Sequence, residues 1–270
     1  MHATEMRNER TTHIDKMSTM EMLTVINDEN RRSVEAVQAT LPQIAKAVEA
    51  VAAAFEKGGR LFYVGAGTSG RIAVMDAAEC PPTFGVDYGQ VVAIIAGGQK
   101  TLVRAAENEE DNEEQGIADL LAHSITEKDV VMGISASGNA AYVTGALKKA
   151  KDLGCVTVSL SSNLPCRIAD VADIAIFADT GAEVITGSTR MKAGNAQKFV
   201  LNMITTGAMI KTGKVYENLM INLRPTNEKL TRRVISIVRE ITGADEETAK
   251  KALDENGWNI RDTVKALGIE

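Results

Sequence analysis

Two glycine-rich segments carry the residue types that commonly bind a phosphate group. They are Val64-Gly-Ala-Gly-Thr-Ser-Gly-Arg71 and Gly133-Ile-Ser-Ala-Ser-Gly-Asn139, and each stands between an apolar run and a helical pattern. Their hydroxyl groups and free backbone N–H groups are therefore expected at a helix N-terminus, which favours an anion. One such loop alone is as often a simple tight turn, but the pair favours a bound phosphate monoester. The candidate ligands are Gly67, Thr68, Ser69, Ser135, Ser137, Gly138 and Asn139.

The first segment also matches the GxGxxG pattern of dinucleotide-binding folds, with Gly65, Gly67 and Gly70. That pattern requires an acidic residue at the end of the next strand to hold the ribose of the nucleotide. Here the next apolar run leads instead into Gly97-Gly-Gln-Lys100. The sequence therefore disfavours a nicotinamide nucleotide, and we expect no cofactor.

Two groups of carboxylates are candidates for a general acid and a general base. Glu79 lies just before two prolines, where we expect the preceding helix to end because proline disfavours helical geometry in the residue before it. The second group is the run 107–114, which has six acids in eight residues. A solvated helix end and a solvated surface are the alternatives for these two features.

A third polar group stands at the start of a predicted helix. Ser188, Thr189, Arg190 and Lys192 are candidates for contacts with a substrate carboxylate, or with a sugar across a dimer interface, since arginine binds carboxylates through two parallel hydrogen bonds. Capping of the helix by Ser188 or Thr189 is the alternative. Arg71, in the first segment, is a candidate for neutralising a phosphate or for pairing with an acid.

The elements that must position these residues alternate between buried strands and helices. Five continuous apolar runs predict parallel strands covered on both faces, at Leu61–Val64, Val91–Ala96, Val130–Ile134, Cys155–Leu160 and Ile174–Phe177. The stretches between them predict helices near Ile72–Ala78, Glu113–His123, Ala140–Leu153 and Met191–Lys211. This alternation predicts a doubly wound α/β fold with a mainly parallel sheet.

The patterning along the chain predicts three regions. Residues 1–34 form an irregular N-terminal arm that leads into a short helix, and residues 35–227 form the α/β domain, which opens with one helix over Glu35–Lys57. The sequence from Lys211 to Ile241 also looks helical. Residues 228–270 form a helical appendage packed by Leu253, Trp258 and Leu267.

Composition disfavours several classes of function. The chain has 270 residues, with 30 basic and 36 acidic ones and a net charge of −6, so no general attraction to nucleic acid or to an anionic membrane is expected. No apolar stretch approaches the roughly 20 residues that span a bilayer. The start of the sequence is charged, unlike a signal peptide, and the three cysteines are widely spaced. We therefore expect a cytoplasmic protein in a reducing compartment.

Longer strings in the sequence closely resemble those of one enzyme family, the N-acetylmuramic acid 6-phosphate etherases, which have a sugar-isomerase fold. The strings are GAGTSGR (65–71), DAAECPPTFG (76–85), IAGG (95–98), ISASGN (134–139), GAEVITGSTRMKAGNAQKFVLNM (181–203) and LRPTNEKL (223–230). The resemblance begins near Thr4 and covers almost the whole chain. Members of the family are expected to continue past the equivalent of Glu270, whereas the tail from Thr242 resembles a single ubiquitin-associated-like unit.

The resemblance implies an activity and two catalytic residues. Members of this family act in peptidoglycan recycling as cofactor-independent homodimers, and they cleave a D-lactyl ether to give N-acetylglucosamine 6-phosphate and D-lactate. By this resemblance Glu79 is the proton donor, and Glu110 is the second catalytic glutamate, the base that removes the C2 proton. The neighbouring Glu109 leaves the second assignment open.

Two other functions are compatible with the predicted fold and the phosphate loops. An aldose–ketose isomerase for a sugar phosphate also removes a proton beside a carbonyl group, and a regulator similar to the glucokinase regulatory protein would bind a sugar phosphate without catalysis. The strings ECPPTFG and STRMKAG and the two glutamates favour the etherase. A small-molecule sugar phosphate is the expected partner in each case.

Overall fold

One sheet of five parallel strands forms the centre of the fold, with the strand order β2-β1-β3-β4-β5. The computed structural model describes residues 2–105, 108–223, 225 and 227–269. Its strands are β1 (Leu61–Gly65), β2 (Val91–Ile95), β3 (Val130–Ile134), β4 (Val156–Ser161) and β5 (Ile174–Phe177). Each lies within one residue of its predicted bounds, so the doubly wound α/β prediction is confirmed.

The helices pack on the sheet and form the C-terminal region. They are α1 (Thr19–Ala39), α2 (Leu41–Glu56), α3 (Gly67–Phe84), α4 (Glu113–Leu121), α5 (Ala141–Asp152), α6 (Arg167–Val171), α7 (Lys192–Lys211), α8 (Glu228–Thr242), α9 (Glu246–Glu255) and α10 (Ile260–Ala266). On one face of the sheet, Phe62 and Val131 are fully buried together with Leu120 of α4 and Leu147 of α5. Among the described residues, no helix is both long and apolar enough to cross a membrane.

The chain divides into two compact units. The first comprises Met1–Ala77 and Gly89–Ala208 and contains the sheet, and the second comprises Ala78–Tyr88 and Met209–Glu270. The core of the second unit is built by side chains of α8, α9 and α10, with Trp258 and Leu267 partly buried against it; its buried members include Val234, Val238, Leu253 and Ile260. The domain boundaries at residues 34 and 227 stay predictions.

The single helix predicted over Glu35–Lys57 is wrong, because two helices meet at Thr40 within it. The first of them, α1, already begins directly after Ser18, whose Oγ accepts from Glu21 N while the Glu21 carboxylate accepts from Ser18 N. Thr40 leaves the helical conformation, with φ −108° and ψ 11°. Pro42 falls in the first turn of α2, where its missing N–H costs no helical hydrogen bond.

The expectation that a helix ends before Pro81 is also wrong. Helix α3 continues through Pro81 and Pro82 to Phe84, and Gly85 N still donates to the Pro81 carbonyl oxygen at 2.9 Å. A proline inside a helix removes a hydrogen bond and bends the helix, but it does not have to end it. Glu79 therefore lies within α3 rather than at its end.

The helical pattern predicted from Lys211 to Ile241 is wrong over its first half. Gly213 adopts a φ of +70°, which favours glycine, and its N–H closes the last turn of α7. Tyr216 and Leu219 then form an isolated antiparallel bridge. The next helix, α8, begins only at Glu228.

Strand register makes neighbours of the segments that follow β1 and β3. Gly65, the last residue of β1, is paired with Ile134, the last residue of β3. At the other end of these strands, Arg60 Nη2 lies 2.9 Å from Asp129 Oδ2. Burial acts to raise the pKa of Asp129, but its hydrogen bonds, chiefly those from Arg60, outweigh burial and lower the pKa. This ion pair joins the starts of the two strands whose ends carry the glycine-rich loops.

Candidate active site

The two glycine-rich loops meet at the carboxyl end of the sheet, which is where parallel α/β folds bind their ligands. The first loop (66–70) and the second loop (135–140) line one cavity of about 310 Å³. Glu5, Glu110, Gly187 and Thr189 also line it. The predicted phosphate ligands that line this cavity are Gly67, Thr68, Ser69, Ser135 and Ser137.

The first loop places the N-terminus of α3 in the cavity wall. Helix α3 begins at Gly67, and the N–H groups of a first helical turn have no partner within the helix. The helix has 18 residues, and its dipole favours an anion at this end. Gly70 permits the close packing of this turn on the sheet, because a Cβ there would lie 2.5 Å from Ile95 Cγ1. Thr68 and Ser69, whose side chains carry hydroxyl groups, also line the cavity.

The second loop is held in shape by its own side chains. Ser135 Oγ accepts from Gly138 N at 3.1 Å and lies 3.3 Å from Ser137 Oγ. Asn139 N donates to Ser137 Oγ at 3.2 Å, and Asn139 Oδ1 accepts from Arg167 N at 3.2 Å. Gly138 and Asn139, which the sequence suggests as phosphate ligands, therefore shape the loop, while Ser135 and Ser137 line the cavity.

We expect the substitution Gly138→Ala to distort the second loop. Gly138 has a φ of +74°, and a Cβ there would lie 2.4 Å from Cys166 Sγ. Forcing extra atoms into a packed site costs about 1–3 kcal/mol, so the free energy of unfolding in urea should fall by that amount. The affinity for inorganic phosphate, measured by calorimetry, should fall with it.

Gly98→Ala is the matched control for this prediction. Gly98 has a similar φ of +71°, but nothing lies within 4 Å of the position of its Cβ. It therefore separates the cost of backbone strain from the cost of the steric clash. Equal losses of stability in the two variants would contradict the steric explanation.

One acid of the run 107–114 lines the cavity. Glu110 lies on a short 3-10 turn and is exposed there. Glu109 Oε1 instead lies 3.8 Å from Lys100 Nζ, and Glu109 lines a different cleft, beside β2. Glu107 is outside the described residues. Among the acids of the run that the structure describes, Glu110 is therefore the one placed beside both loops.

Glu79 is exposed on α3, in the part of the helix that belongs to the second unit. Among the described residues, its carboxylate has no hydrogen-bond or ion-pair partner, and the side chain is open to solvent. The cavity between the loops is formed by the first unit alone. The pairing of Glu79 with Glu110 as acid and base stays a prediction.

The polar residues at the start of α7 have different surroundings. Thr189 lines the cavity, whereas Ser188 is half-buried and Arg190 is exposed outside it. Lys192 is fully buried, and its Nζ lies 2.6 Å from Oε2 of the equally buried Glu29. The prediction that Lys192 contacts the substrate is corrected on this ground, because the ion pair holds its charge inside the protein.

Buried hydrogen bonds fix the start of α7 beside the cavity. The Glu183 carboxylate accepts from Lys192 N at 3.0 Å and from Ala193 N at 2.9 Å, and so caps the helix. Ser33 Oγ of α1 donates to the Lys192 carbonyl oxygen at 3.0 Å. These contacts fix the position of the segment that contains Thr189. The buried Lys192 therefore has a structural role, because it helps to hold this segment beside the cavity.

Arg71 has a structural partner instead of a phosphate or an acid. Its Nε donates to the Leu102 carbonyl oxygen at 3.1 Å, and its Nη2 donates to the Thr101 carbonyl oxygen at 2.6 Å. Arg71 thereby holds the turn that precedes the acidic run. Glu5 also lines the cavity, although no periodic pattern in the arm marks it as a site residue. The signal in the sequence that points to it is the start of the family resemblance near Thr4.

The fold and the cavity define a class of proteins, the sugar-isomerase (SIS) domains. Residues 43–151 match a family model described as the glucokinase regulatory protein N-terminal SIS domain, and residues 235–261 match a UBA-like domain. A putative phosphosugar isomerase of Bacteroides fragilis has a similar structure, with a TM-score of 0.56 and 22% identity over 73% of this chain and 94% of that one. A phosphoheptose isomerase of Neisseria gonorrhoeae gives a TM-score of 0.52 and 20% identity over 72% of this chain and 98% of that one.

Curated relatives narrow this class to one family. An N-acetylmuramic acid 6-phosphate etherase of Pasteurella multocida is 54% identical over 264 residues, which are 98% of this chain and 88% of that protein. N-acetylmuramic acid 6-phosphate etherase 2 of Vibrio parahaemolyticus is 54% identical over 93% of this chain and 84% of that protein. The chain belongs to the N-acetylmuramic acid 6-phosphate etherase family.

Proposed function

We propose that this protein cleaves the D-lactyl ether of N-acetylmuramic acid 6-phosphate, without a cofactor, to give N-acetylglucosamine 6-phosphate and D-lactate in cell-wall sugar recycling. The observation that carries the proposal is the position of Glu110, which lines the same cavity as the serine and threonine residues of both loops. Membership of the etherase family supports the identity of the substrate. A phosphate bound by the loops would bring the sugar chain within reach of this carboxylate.

The chemistry of the substrate explains the need for a base and an acid. In the open-chain sugar, the C2 proton lies next to the C1 aldehyde and is acidic, because the resulting carbanion is delocalised as an enolate. Glu110 takes this proton, and the C3–O bond to lactate then breaks to leave an unsaturated aldehyde. Water adds back, its oxygen to C3 and a proton to C2, which completes the exchange of lactate for a hydroxyl group.

We assign the acid role to Glu79, by its place in the ECPP string. The departing lactate oxygen requires a proton, and the same group in its ionised form can then take a proton from the attacking water. The exposed position of Glu79 is compatible with both steps. Arg190 and Ser188 remain candidates for binding the lactyl carboxylate, since both lie beside the cavity residue Thr189 and Arg190 is exposed.

The test of the proposed function is the release of D-lactate. The purified protein is incubated with N-acetylmuramic acid 6-phosphate, and D-lactate is measured with a D-lactate dehydrogenase. We expect one D-lactate for each N-acetylglucosamine 6-phosphate formed. Interconversion of glucose 6-phosphate and fructose 6-phosphate is assayed in parallel to test an isomerase, and isomerisation without D-lactate would contradict the etherase.

A non-catalytic regulator is the second candidate function. It is favoured by the match of residues 43–151 to the SIS domain model of the glucokinase regulatory protein. A regulator would bind a sugar phosphate without breaking any bond. The presence of an ionisable side chain, Glu110, in the cavity between the loops favours catalysis over this alternative.

We also propose that the protein is a homodimer in the cytoplasm. The support for the dimer is an apolar cleft of about 520 Å³ in the first unit, between α1 and α7. Its exposed members include Val34, Phe199 and Met203. Apolar side chains exposed to water are unfavourable, and a second copy of the chain packed on this cleft would bury them. Sedimentation velocity that shows monomers alone would contradict the dimer. Among the described residues, the three buried cysteines form no disulfide, which suits a reducing compartment.

A further inference from the structure

The phosphate cavity contains a second carboxylate that the proposed mechanism does not use. Glu5 lines the cavity together with Glu110 and both loops. It comes from the N-terminal arm, where Ala3–Glu5 forms a short 3-10 turn. Apart from these two glutamates, the polar side chains of the wall are serines and threonines, and none of the described lining residues is a lysine or an arginine.

The residue before Glu5 is fixed by three hydrogen bonds. Thr4 is fully buried. Its N–H donates to Asn163 Oδ1 at 3.3 Å, its Oγ1 accepts from Asn163 Nδ2 at 3.0 Å, and its carbonyl oxygen accepts from Gly187 N at 3.3 Å. Asn163 Nδ2 also donates to the carbonyl oxygen of Ala136 in the second loop, at 3.0 Å. The arm is therefore joined to the second loop. Glu5 Oε2 lies 3.5 Å from the position that a Cβ would take on Gly187, another residue of the cavity wall.

The negative charge of the Glu5 carboxylate limits the kinds of ligand group that it can bind in the cavity. A carboxylate repels a phosphate, so Glu5 weakens the binding of a bare phosphate ion. Among the described residues, Glu5 has no ion-pair partner that would cancel its charge. A ligand gains from Glu5 only if it brings a neutral hydrogen-bond donor to it, and a hydrogen bond to a charged acceptor is stronger than one between neutral groups.

We propose that Glu5 binds the substrate directly by accepting a hydrogen bond from a hydroxyl group of the sugar chain, and so selects a sugar phosphate over a bare phosphate. The inference rests on the proposed function in one respect, that the ligand of the cavity is a phosphorylated sugar. In this arrangement Glu110 acts on C2, the loops bind the phosphate, and Glu5 binds a hydroxyl group of the sugar chain.

The test compares two ligands on three variants. Calorimetry gives the affinities of the wild type, Glu5→Ala and Glu5→Gln for N-acetylglucosamine 6-phosphate and for inorganic phosphate. We expect Glu5→Ala to bind the sugar phosphate about 10- to 100-fold more weakly, the range for loss of a hydrogen bond to a charged group. Its affinity for inorganic phosphate should stay the same or rise. Glu5→Gln should recover part of the loss, because its amide oxygen still accepts a hydrogen bond.

The matched control is Glu9→Gln, which removes an exposed charge of the same arm that is outside the cavity. It should bind both ligands as the wild type does. An unchanged affinity of Glu5→Ala for the sugar phosphate would overturn the proposal, as would an equal loss for both ligands, which a structural role of the arm would produce. So would a wild type that does not bind the sugar phosphate.

Release of D-lactate by the wild type is measured on the same sample, so that the two hypotheses fail separately. If the wild type releases D-lactate and Glu5→Ala binds the sugar phosphate with unchanged affinity, the proposed role of Glu5 is wrong, but the etherase activity is supported. A wild type without lactate release, but with the expected loss in Glu5→Ala, would overturn the etherase and leave the role of Glu5 standing.

Discussion

Glu110→Gln should abolish the exchange of deuterium from solvent into C2 of N-acetylglucosamine 6-phosphate. The product of the reaction still carries the acidic C2 proton, so a base in the cavity exchanges it without breaking any other bond. Glutamine cannot accept this proton, and the loss of a general base typically lowers a rate by about 10²- to 10⁴-fold. Proton nuclear magnetic resonance in D₂O follows the C2 signal, and the release of D-lactate from the ether should fall in parallel.

The neighbouring acid provides the control for this experiment. Glu109→Gln removes the same charge one residue away, but Glu109 contacts Lys100 and lines another cleft. We expect its exchange rate to stay within a few-fold of the wild type. If Glu109→Gln lost the exchange and Glu110→Gln kept it, the base would be Glu109 and the assignment from the cavity would be wrong. A wild type that binds the sugar phosphate without any exchange would favour the regulator.

Lys192→Met should lower the free energy of unfolding by about 3–5 kcal/mol, the range for breaking a buried ion pair from one side. Lys192 and Glu29 have no exposed side-chain surface, and their Nζ and Oε2 atoms lie 2.6 Å apart. Glu29 keeps three other partners after the substitution: Arg10 Nη1 lies 2.9 Å and Arg32 Nε 3.7 Å from its Oε1, and Asn8 Nδ2 donates to its Oε2 at 2.7 Å. Urea denaturation at pH 7 measures the loss.

The pH dependence of this loss follows from the pKa of Glu29. Burial acts to raise that pKa, but hydrogen bonds from Lys192 and Asn8 and nearby positive charges outweigh burial and lower it. A lowered pKa in the folded state stabilises the protein above the pKa of the unfolded state, and this stabilisation is lost as the pH falls. The difference between the wild type and Lys192→Met should therefore shrink in acid.

Lys198→Met is the control for the buried lysine. Lys198 lies on the same helix, but it is exposed, and its Nζ donates a hydrogen bond only to Asn202 among the described residues. We expect it to change the free energy of unfolding by less than about 1 kcal/mol. Equal stability losses for the two variants would contradict the buried ion pair. A stable Lys192→Met protein with a large rise in KM would instead return Lys192 to the substrate site.

The parts of the fold that the sequence predicts well are those fixed by local patterns. Val130–Ile134 and the other apolar runs lack polar alternation, which is the signature of a strand covered on both faces, so the sheet follows from them. The serines and glycines that follow β1 and β3 predict two loops at one edge of the sheet, because parallel strands bring their carboxyl ends together, and these loops do line one cavity. A phosphate bound there stays a prediction. The sequence alone does not predict which strands are neighbours, and it is the pairing of Gly65 with Ile134 that brings the two loops together.

The predictions that fail depend on partners far away in sequence or on competing local signals. Lys192 looks like a substrate ligand, but its partner, Glu29, is 163 residues away. The two prolines after Glu79 predict a helix end, yet the helix continues through both of them. The true start of α1 did have a signal, the Ser18-x-x-Glu21 capping box, which predicts a helix N-terminus.

The measurement that tests the central claim most directly is the fate of isotopic oxygen when N-acetylmuramic acid 6-phosphate is cleaved in H₂¹⁸O. Elimination followed by hydration breaks the bond between C3 and the ether oxygen and takes the new C3 hydroxyl group from water. We predict ¹⁸O at C3 of N-acetylglucosamine 6-phosphate and unlabelled D-lactate, as mass spectrometry would show. Label in the hydroxyl group of lactate, with none at C3 of the sugar, would contradict the mechanism, and the absence of lactate would contradict the activity itself.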